Sequence, residues 1–225
     1  MARAHHSGVR GIVVPGVDPA TWGRLRALAA EFGWSYAVGT HPHALARGRA
    51  VPSEPGTAVA IGECGLDGRI DVPMAEQVEV LNAHLALARE ASLPVLLHCV
   101  QAHEALLATL RAWAPLRGVM HGYSGGEARV AEYVRLGLHL SFGGPLTWPS
   151  ARRPVAAMAR VPLERLLAES DAPDQAPFPH RGRSEPAMLP LVVAAMERIR
   201  GQPLAQLLVD NAVNLGLWAL EVRAS

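Results

Sequence analysis

The chain has 225 residues, half of them hydrophobic, and a formal net charge of +1. That length suits one domain, spanning residues 1–225, with a substantial core, and no apolar run approaches the roughly 18 residues of a membrane helix. So small a net charge gives no global field toward nucleic acid, and because all 21 basic residues are arginine, P-loop, Schiff-base and carbamylated-lysine chemistries are excluded.

The first residues, Met1 to Gly8, read as the end of a helix and lack the apolar core of a signal peptide, so the expected compartment is the cytoplasm. There Cys64 and Cys99 are expected as free thiols. Val9 to Val14 reads as a strand closed by Pro15-Gly16. A helix follows to about Phe32, with Asp18 or Thr21 as cap and Gly33 as stop. Ser35 to Val38 is a short strand that runs into Gly39-Thr40-His41-Pro42-His43. After a loop rich in proline and arginine comes the run Ala58 to Asp67, a β-branched apolar strand interrupted by Glu63 between two glycine-bearing turns of sequence. Val78, Leu81, Leu85 and Ala88 recur at helical spacing between Met74 and Ala91, and His84 on that helix reads as a solvated or packing residue.

The remaining elements alternate in the same way. Leu93 to His98 is a strand, His103 to Ala114 a helix, Arg117 to His121 a strand and Glu127 to Leu136 a helix. Leu138 to Phe142 is a strand, Pro154 to Ala159 a helix, and Leu166 to Asp171 the last strand. Two helices, about Glu185 to Arg200 and Pro203 to Trp218, close the chain. Seven strands joined by helical crossovers predict a mostly parallel sheet with helices outside, one strand short of a closed eight-stranded barrel.

Four of these strands end in a side chain that binds metals. Glu63, His98, His121 and Asp171 offer two carboxylates and two imidazoles, and parallel strands deliver them to one mouth. Such a set holds one divalent ion or part of a two-ion site with Glu63 between the ions, and Mg, Mn and Zn all tolerate it. Glu63 and Asp171 are the candidate catalytic carboxylates, Asp171 as proton acceptor or second anchor for a metal water; the alternative for Asp171 is an N-cap. His41 and His43 stand at another strand exit, either as phosphate or water contacts or as ties that order their loop. His5 and His6, adjacent in sequence, diverge on any regular element and make poor joint ligands. Trp148 and the arginines Arg152, Arg153, Arg181 and Arg183 lie in the loops after the last strands, where the ring stacks a base or plugs the loop, and the charges meet phosphate or solvent.

Gly39-Thr40-His41-Pro42-His43, Ile61 to Asp67, Pro94 to His98, His121 to Gly125, and Glu169-Ser170-Asp171-Ala172-Pro173 together resemble the TatD family of metal-dependent deoxyribonucleases. Arg181 to Pro186 and Asn211-Ala212 share the likeness. The resemblance implies a TIM-barrel metallohydrolase with one or two divalent ions that cuts phosphodiesters, commonly from the 3′ end of single-stranded DNA. It implies Glu63 as shared ligand, His98 and His121 as ligands of one ion, and Asp171 as ligand and proton carrier. Two departures stand out. The family's opening strand with its His-x-His pair has no counterpart here, so the ion held by Glu63, His98 and His121 is expected to persist while the other binds weakly. Val100 stands where many members carry an arginine, which removes a phosphate contact. Hydrolysis of a small ester or amide, and a degenerate barrel that binds nucleic acid or a partner without turnover, remain as alternatives.

Overall fold

The computed structural model describes residues 2–218, so the unit expected over 1–225 includes residues outside this range. After a short helix α1 (Ala2–His6), strand and helix alternate: β1 (Val13–Val14), α2 (Trp22–Phe32), β2 (Ser35–Val38), β3 (Ala60–Asp67), α3 (Met74–Glu90), β4 (Val95–Val100) and α4 (His103–Arg111). Then come β5 (Gly118–Met120), α5 (Val130–Arg135), β6 (Leu138–Phe142), α6 (Arg152–Arg160), β7 (Leu166–Ala168), α7 (Leu189–Arg200) and α8 (Ala205–Leu215). The strands form one sheet in sequential order, and every neighbouring pair is parallel. Among the described residues β1 and β7 end that order without pairing to each other, so the sheet is an open half-barrel of seven strands.

Alternation along the strands sorts the two faces. In β4, Val95, Leu97 and Cys99 are buried among the helices, while Leu96, His98 and Val100 take the opposite, less buried face. The larger core therefore lies between sheet and helices, where Leu97, Leu106 and Leu110 are fully buried; truncating any of them to alanine is expected to cost about 2–5 kcal/mol. A smaller cluster inside the curve joins Ala37, Ala60, Val119 and Leu167 to Leu215 and Leu217. There a cavity of about 1080 Å³ is bordered by Val13, Leu96, Val119 and Leu167, with Glu63 and His121 also on its wall.

Several boundaries differ from the sequence reading. The first strand shrinks from Val9–Val14 to Val13–Val14, since it has a partner only in β2 and Gly11 packs against the Trp218 ring. The helix expected from Pro154 begins at Arg152, because proline is tolerated in a first turn where its missing N–H has no partner to lose. The expected last strand stops at Ala168, although Glu169 N–H still donates to Phe142 O. The last helix ends at Leu215, where Gly216 adopts the left-handed cap (φ 82°). No helix among the described residues is long and apolar enough to cross a membrane.

Candidate metal centre

Because all seven strands run the same way, their C-terminal ends share one rim, and the metal-competent side chains gather there. Glu63 is set by an irregularity in β3. The register with β4 shifts between Ile61 and Cys64, and Glu63 N–H donates to Gly16 O (2.8 Å) instead of to a sheet neighbour. Close approach demands glycine beside it: a Cβ on Gly39 would fall 2.6 Å from Gly62 Cα. The Glu63 side chain is buried, with His98 Nδ1 3.1 Å and His41 Nε2 3.6 Å from Oε1. His41, Glu63 and His98 each offer a ligand atom within 4.8 Å of the others.

His98 stands between two carboxylates, with Nε2 3.1 Å from Asp67 Oδ2 and Nδ1 3.1 Å from Glu63 Oε1, and a cation at Glu63 would take the place of a proton on Nδ1. His41 differs. Its Nδ1 accepts the His43 backbone N–H (3.1 Å), which leaves the proton of the neutral ring on Nε2, toward Glu63. The His41 proton thus points toward Glu63 from 3.6 Å, while His98 Nδ1 comes within 3.1 Å of the same oxygen. Burial, helped by the neighbouring imidazoles, pushes His41 down to about 4, so it stays neutral near pH 7 even beside Glu63.

Asp67 organises this half of the site. It is fully buried and accepts from Arg69, His43 and His98; burial alone would raise its pKa, but these donors hold it well below the usual carboxylate range. Its backbone is clamped by Gln77 of α3, whose amide oxygen accepts from Asp67 N–H (2.8 Å) and whose nitrogen donates to Asp67 O (3.1 Å). One helical face farther along sits His84, buried rather than solvated: Nδ1 is 2.8 Å from Val80 O, and Nε2 accepts from Thr40 N–H (3.0 Å). A single helix thus fixes Asp67 and the loop that carries His41.

The other half is built on the ends of β5 and β7. His121 Nδ1 lies 2.8 Å from Glu169 Oε2 and Nε2 3.0 Å from Asp171 Oδ1. Burial opposes charge on this ring, yet Glu169, Glu63 and Asp171 outweigh it and raise the His121 pKa well above its ordinary value. Glu63 gains in return: burial would raise it, but His121, His98 and His41 draw it down to about 2. Glu169 Oε2 is buried with no aligned donor, its His121 contact being an ion pair off the hydrogen-bond direction. Asp171 is partly open to solvent and also accepts from Gln175.

The residues present suit a divalent cation. Three carboxylates, Glu63, Glu169 and Asp171, face one raised imidazole on a shared cavity wall, and one of their oxygens is buried without a donor. The sequence-derived residues therefore fall into two sets: Glu63, His98 and His41 in one, His121 and Asp171 in the other. His43 leans on Asp67, while Trp148 and Arg181 lie on the rim outside this network. Asp67 and Glu169, which contact the His98 and His121 rings, carried no separate role in the sequence reading. Their signal was in view, since each is a carboxylate four residues after or two before a proposed ligand at the same strand end. Cys64 and Cys99 are free and buried, and burial pushes the Cys99 thiol up to about 12, so neither is a thiolate ligand.

The sequence profile described as TatD related DNase matches residues 1–215. The 3′-5′ ssDNA/RNA exonuclease TatD of Erwinia amylovora is 35% identical over 233 residues, covering 94% of this chain and 89% of the relative. The metal-dependent hydrolase YjjV of Escherichia coli K12 is 33% identical over 231 residues, covering 96% of this chain and 89% of its own. The YjjV crystal structure superposes with a TM-score of 0.88 at 32% identity, covering 97% of this chain and 90% of that one. A TatD family hydrolase from Entamoeba histolytica shares the fold at 18% identity and a TM-score of 0.82.

Proposed function

Because the chain belongs to the TatD related DNase family, and with it is a metal-dependent hydrolase acting on ester bonds, we propose that it removes nucleotides from the 3′ end of single-stranded DNA or RNA. The observation that carries this reading is the pairing at the strand ends: each candidate ligand imidazole lies between one carboxylate that orients it and one that shares the cation.

Glu63 and His98 through Nδ1 would hold a divalent cation, with His121 joining them once its proton is displaced, and Asp171 and Glu169 would offer a second, weaker position. A bound divalent cation would supply a water acidic enough to ionise near pH 7 and would offset charge on the phosphate. Nitrogen-rich ligands favour Zn or Mn in the first position, and the carboxylates of the second suit Mg or Mn. Asp171, open to solvent and held by His121 and Gln175, accepts the proton of the attacking water. His41 Nε2–H donates to a phosphate oxygen beside Glu63, while Asp67 and Glu169 keep their imidazoles in the required tautomers. Trp148 and Arg181, exposed on the rim, contact the substrate outside the reacting bond.

The test is nucleotide release from a 3′-labelled single-stranded oligonucleotide with added Mg, Mn or Zn. The reading predicts stepwise loss of label, abolished by EDTA and by Glu63→Ala. Preference for small carboxylic esters over every phosphodiester offered would contradict it.

A further inference from the structure

The loops after β6 and β7 carry features that the metal chemistry does not use. Both leave the C-terminal ends of parallel strands, so they stand on the rim that holds the ligands. Hydrogen bonds staple them together: Phe178 N–H donates to Thr147 Oγ1 (2.7 Å), and Trp148 Nε1–H to Ala176 O (3.0 Å). The indole's polar edge is thus satisfied within the protein, and what it presents outward is a ring face, 41% exposed. Phe178 beside it is 51% exposed, the most exposed large apolar side chain described. Phe32, the other exposed aromatic, stacks on Trp34; Trp148 and Phe178 have no aromatic partner among the described residues.

Arginines flank these rings. Arg152 and Arg153 open α6, and Arg181 and Arg183 lie in the loop after β7, where Glu169 and Asp171 are engaged with His121, Glu185 pairs with Arg3, and Asp174 is the remaining carboxylate. All four guanidiniums are exposed, and none is paired with a carboxylate among the described residues. Elsewhere arginines do find partners, as in Arg3–Glu185, Arg47–Asp18, Arg111–Glu132 and Arg129–Glu104. A second cavity of about 330 Å³ is lined by Glu169 and Gln175 together with Trp148 and Arg153. Its volume is that of a small-molecule pocket.

Resting on the nuclease reading, we infer that this rim is a binding track for single-stranded nucleic acid beyond the scissile bond. Trp148 and Phe178 stack unpaired bases, and Arg152, Arg153, Arg181 and Arg183 neutralise the phosphates between them. Rings already pinned by backbone hydrogen bonds lose little freedom on stacking, and stacking on a π face is tolerant of base identity. Arginine clusters interleaved with aromatics are the combination such strands require.

The test is fluorescence anisotropy of labelled oligothymidylates of two to eight nucleotides, in EDTA so that nothing is cut. Affinity is expected to climb with length until the track is filled. Phe178→Ala is expected to weaken binding of the octamer by about 5- to 100-fold and to leave the dinucleotide almost unaffected. Removing Arg153 and Arg183 together is expected to flatten the salt dependence by roughly one to two counterions. Octamer binding by Phe178→Ala and by the double arginine variant at parental affinity and salt slope would overturn the track. So would equal affinity for the duplex, whose paired bases offer no face to the rings. If the parent cuts oligonucleotides while the variants bind as it does, only the track falls; if the parent neither binds nor cuts any, the nuclease reading falls with it.

Discussion

His98 and His121 each stand between two carboxylates, but their halves of the site differ in how charge is settled. Around His98, Asp67 already accepts from Arg69 and His43 and its backbone is clamped by Gln77, so the position of the ring is fixed before any ion arrives. Around His121, Glu169 and Asp171 have no arginine, and the ring itself is the counterion. The first half is pre-organised for metal; the second is held by a proton that metal must displace. In the proposed function, affinity would therefore come mainly from the Glu63–His98 side, and the pH response and the proton-accepting group from the His121–Asp171 side.

The strongest way to break this comparison is to remove the group both halves share. Glu63→Gln is expected to abolish metal binding and reduce hydrolysis to the metal-free background, measured by calorimetric titration and by oligonucleotide cleavage. Asp171→Asn is expected to retain the Glu63–His98 ion while kcat falls by about 10²- to 10⁴-fold, the usual contribution of a positioned acid or base. If it loses the ion as well, the division of labour is wrong.

Substituting the orienting carboxylates sharpens the contrast. Asp67→Asn is expected to weaken metal affinity by roughly 10- to 100-fold and to lower stability, because Arg69 and His43 lose a buried acceptor. Glu169→Gln is expected to weaken affinity less, since it removes a buried oxygen that has no aligned donor. Equal losses in the two variants would erase the difference between the halves.

The smallest effect is on stability without metal. His41, His103 and His139 are pushed down to about 4, in each case first by burial, so between pH 4 and 6.5 the unfolded chain binds more protons than the folded one. Stability is then expected to fall on acidification through that window, by up to about 1.4 kcal/mol per pH unit for each group. His121 has the opposite sign. Its folded pKa is raised, so its contribution is full below about 6.5 and is lost as pH climbs through the raised value. Urea midpoints in EDTA should therefore peak near neutrality, and His121→Gln should remove the alkaline decline while leaving the acidic one.

Much of this was legible in the chain. A short apolar run stopped by one metal-competent residue is how Glu63, His98 and His121 announced themselves, and the structure adds that alternation in β4 puts His98 on the face opposite the helix-packed Leu97. The tautomers were not legible. Which nitrogen of His41 is free depends on a three-residue turn that folds His43 N–H back onto Nδ1, and the two carboxylates that flank His98 both come from the neighbouring strand β3. His84, left in sequence as a solvated or packing residue, is the packing one: it follows Gln77 by seven residues and Leu81 by three, which puts it on the buried face of α3. The shortened β1 reflects pairing on one side only, which residue type does not encode.

The central claim is tested most directly by titrating the metal-stripped protein with Mn or Zn in a calorimeter while following proton release at neutral pH. The account predicts one tight ion, a second much weaker one, and about one proton released with the first, with the tight site lost in His98→Ala and kept in His41→Ala. Two equally tight ions, or a tight ion that survives His98→Ala and disappears with His41→Ala, would contradict it.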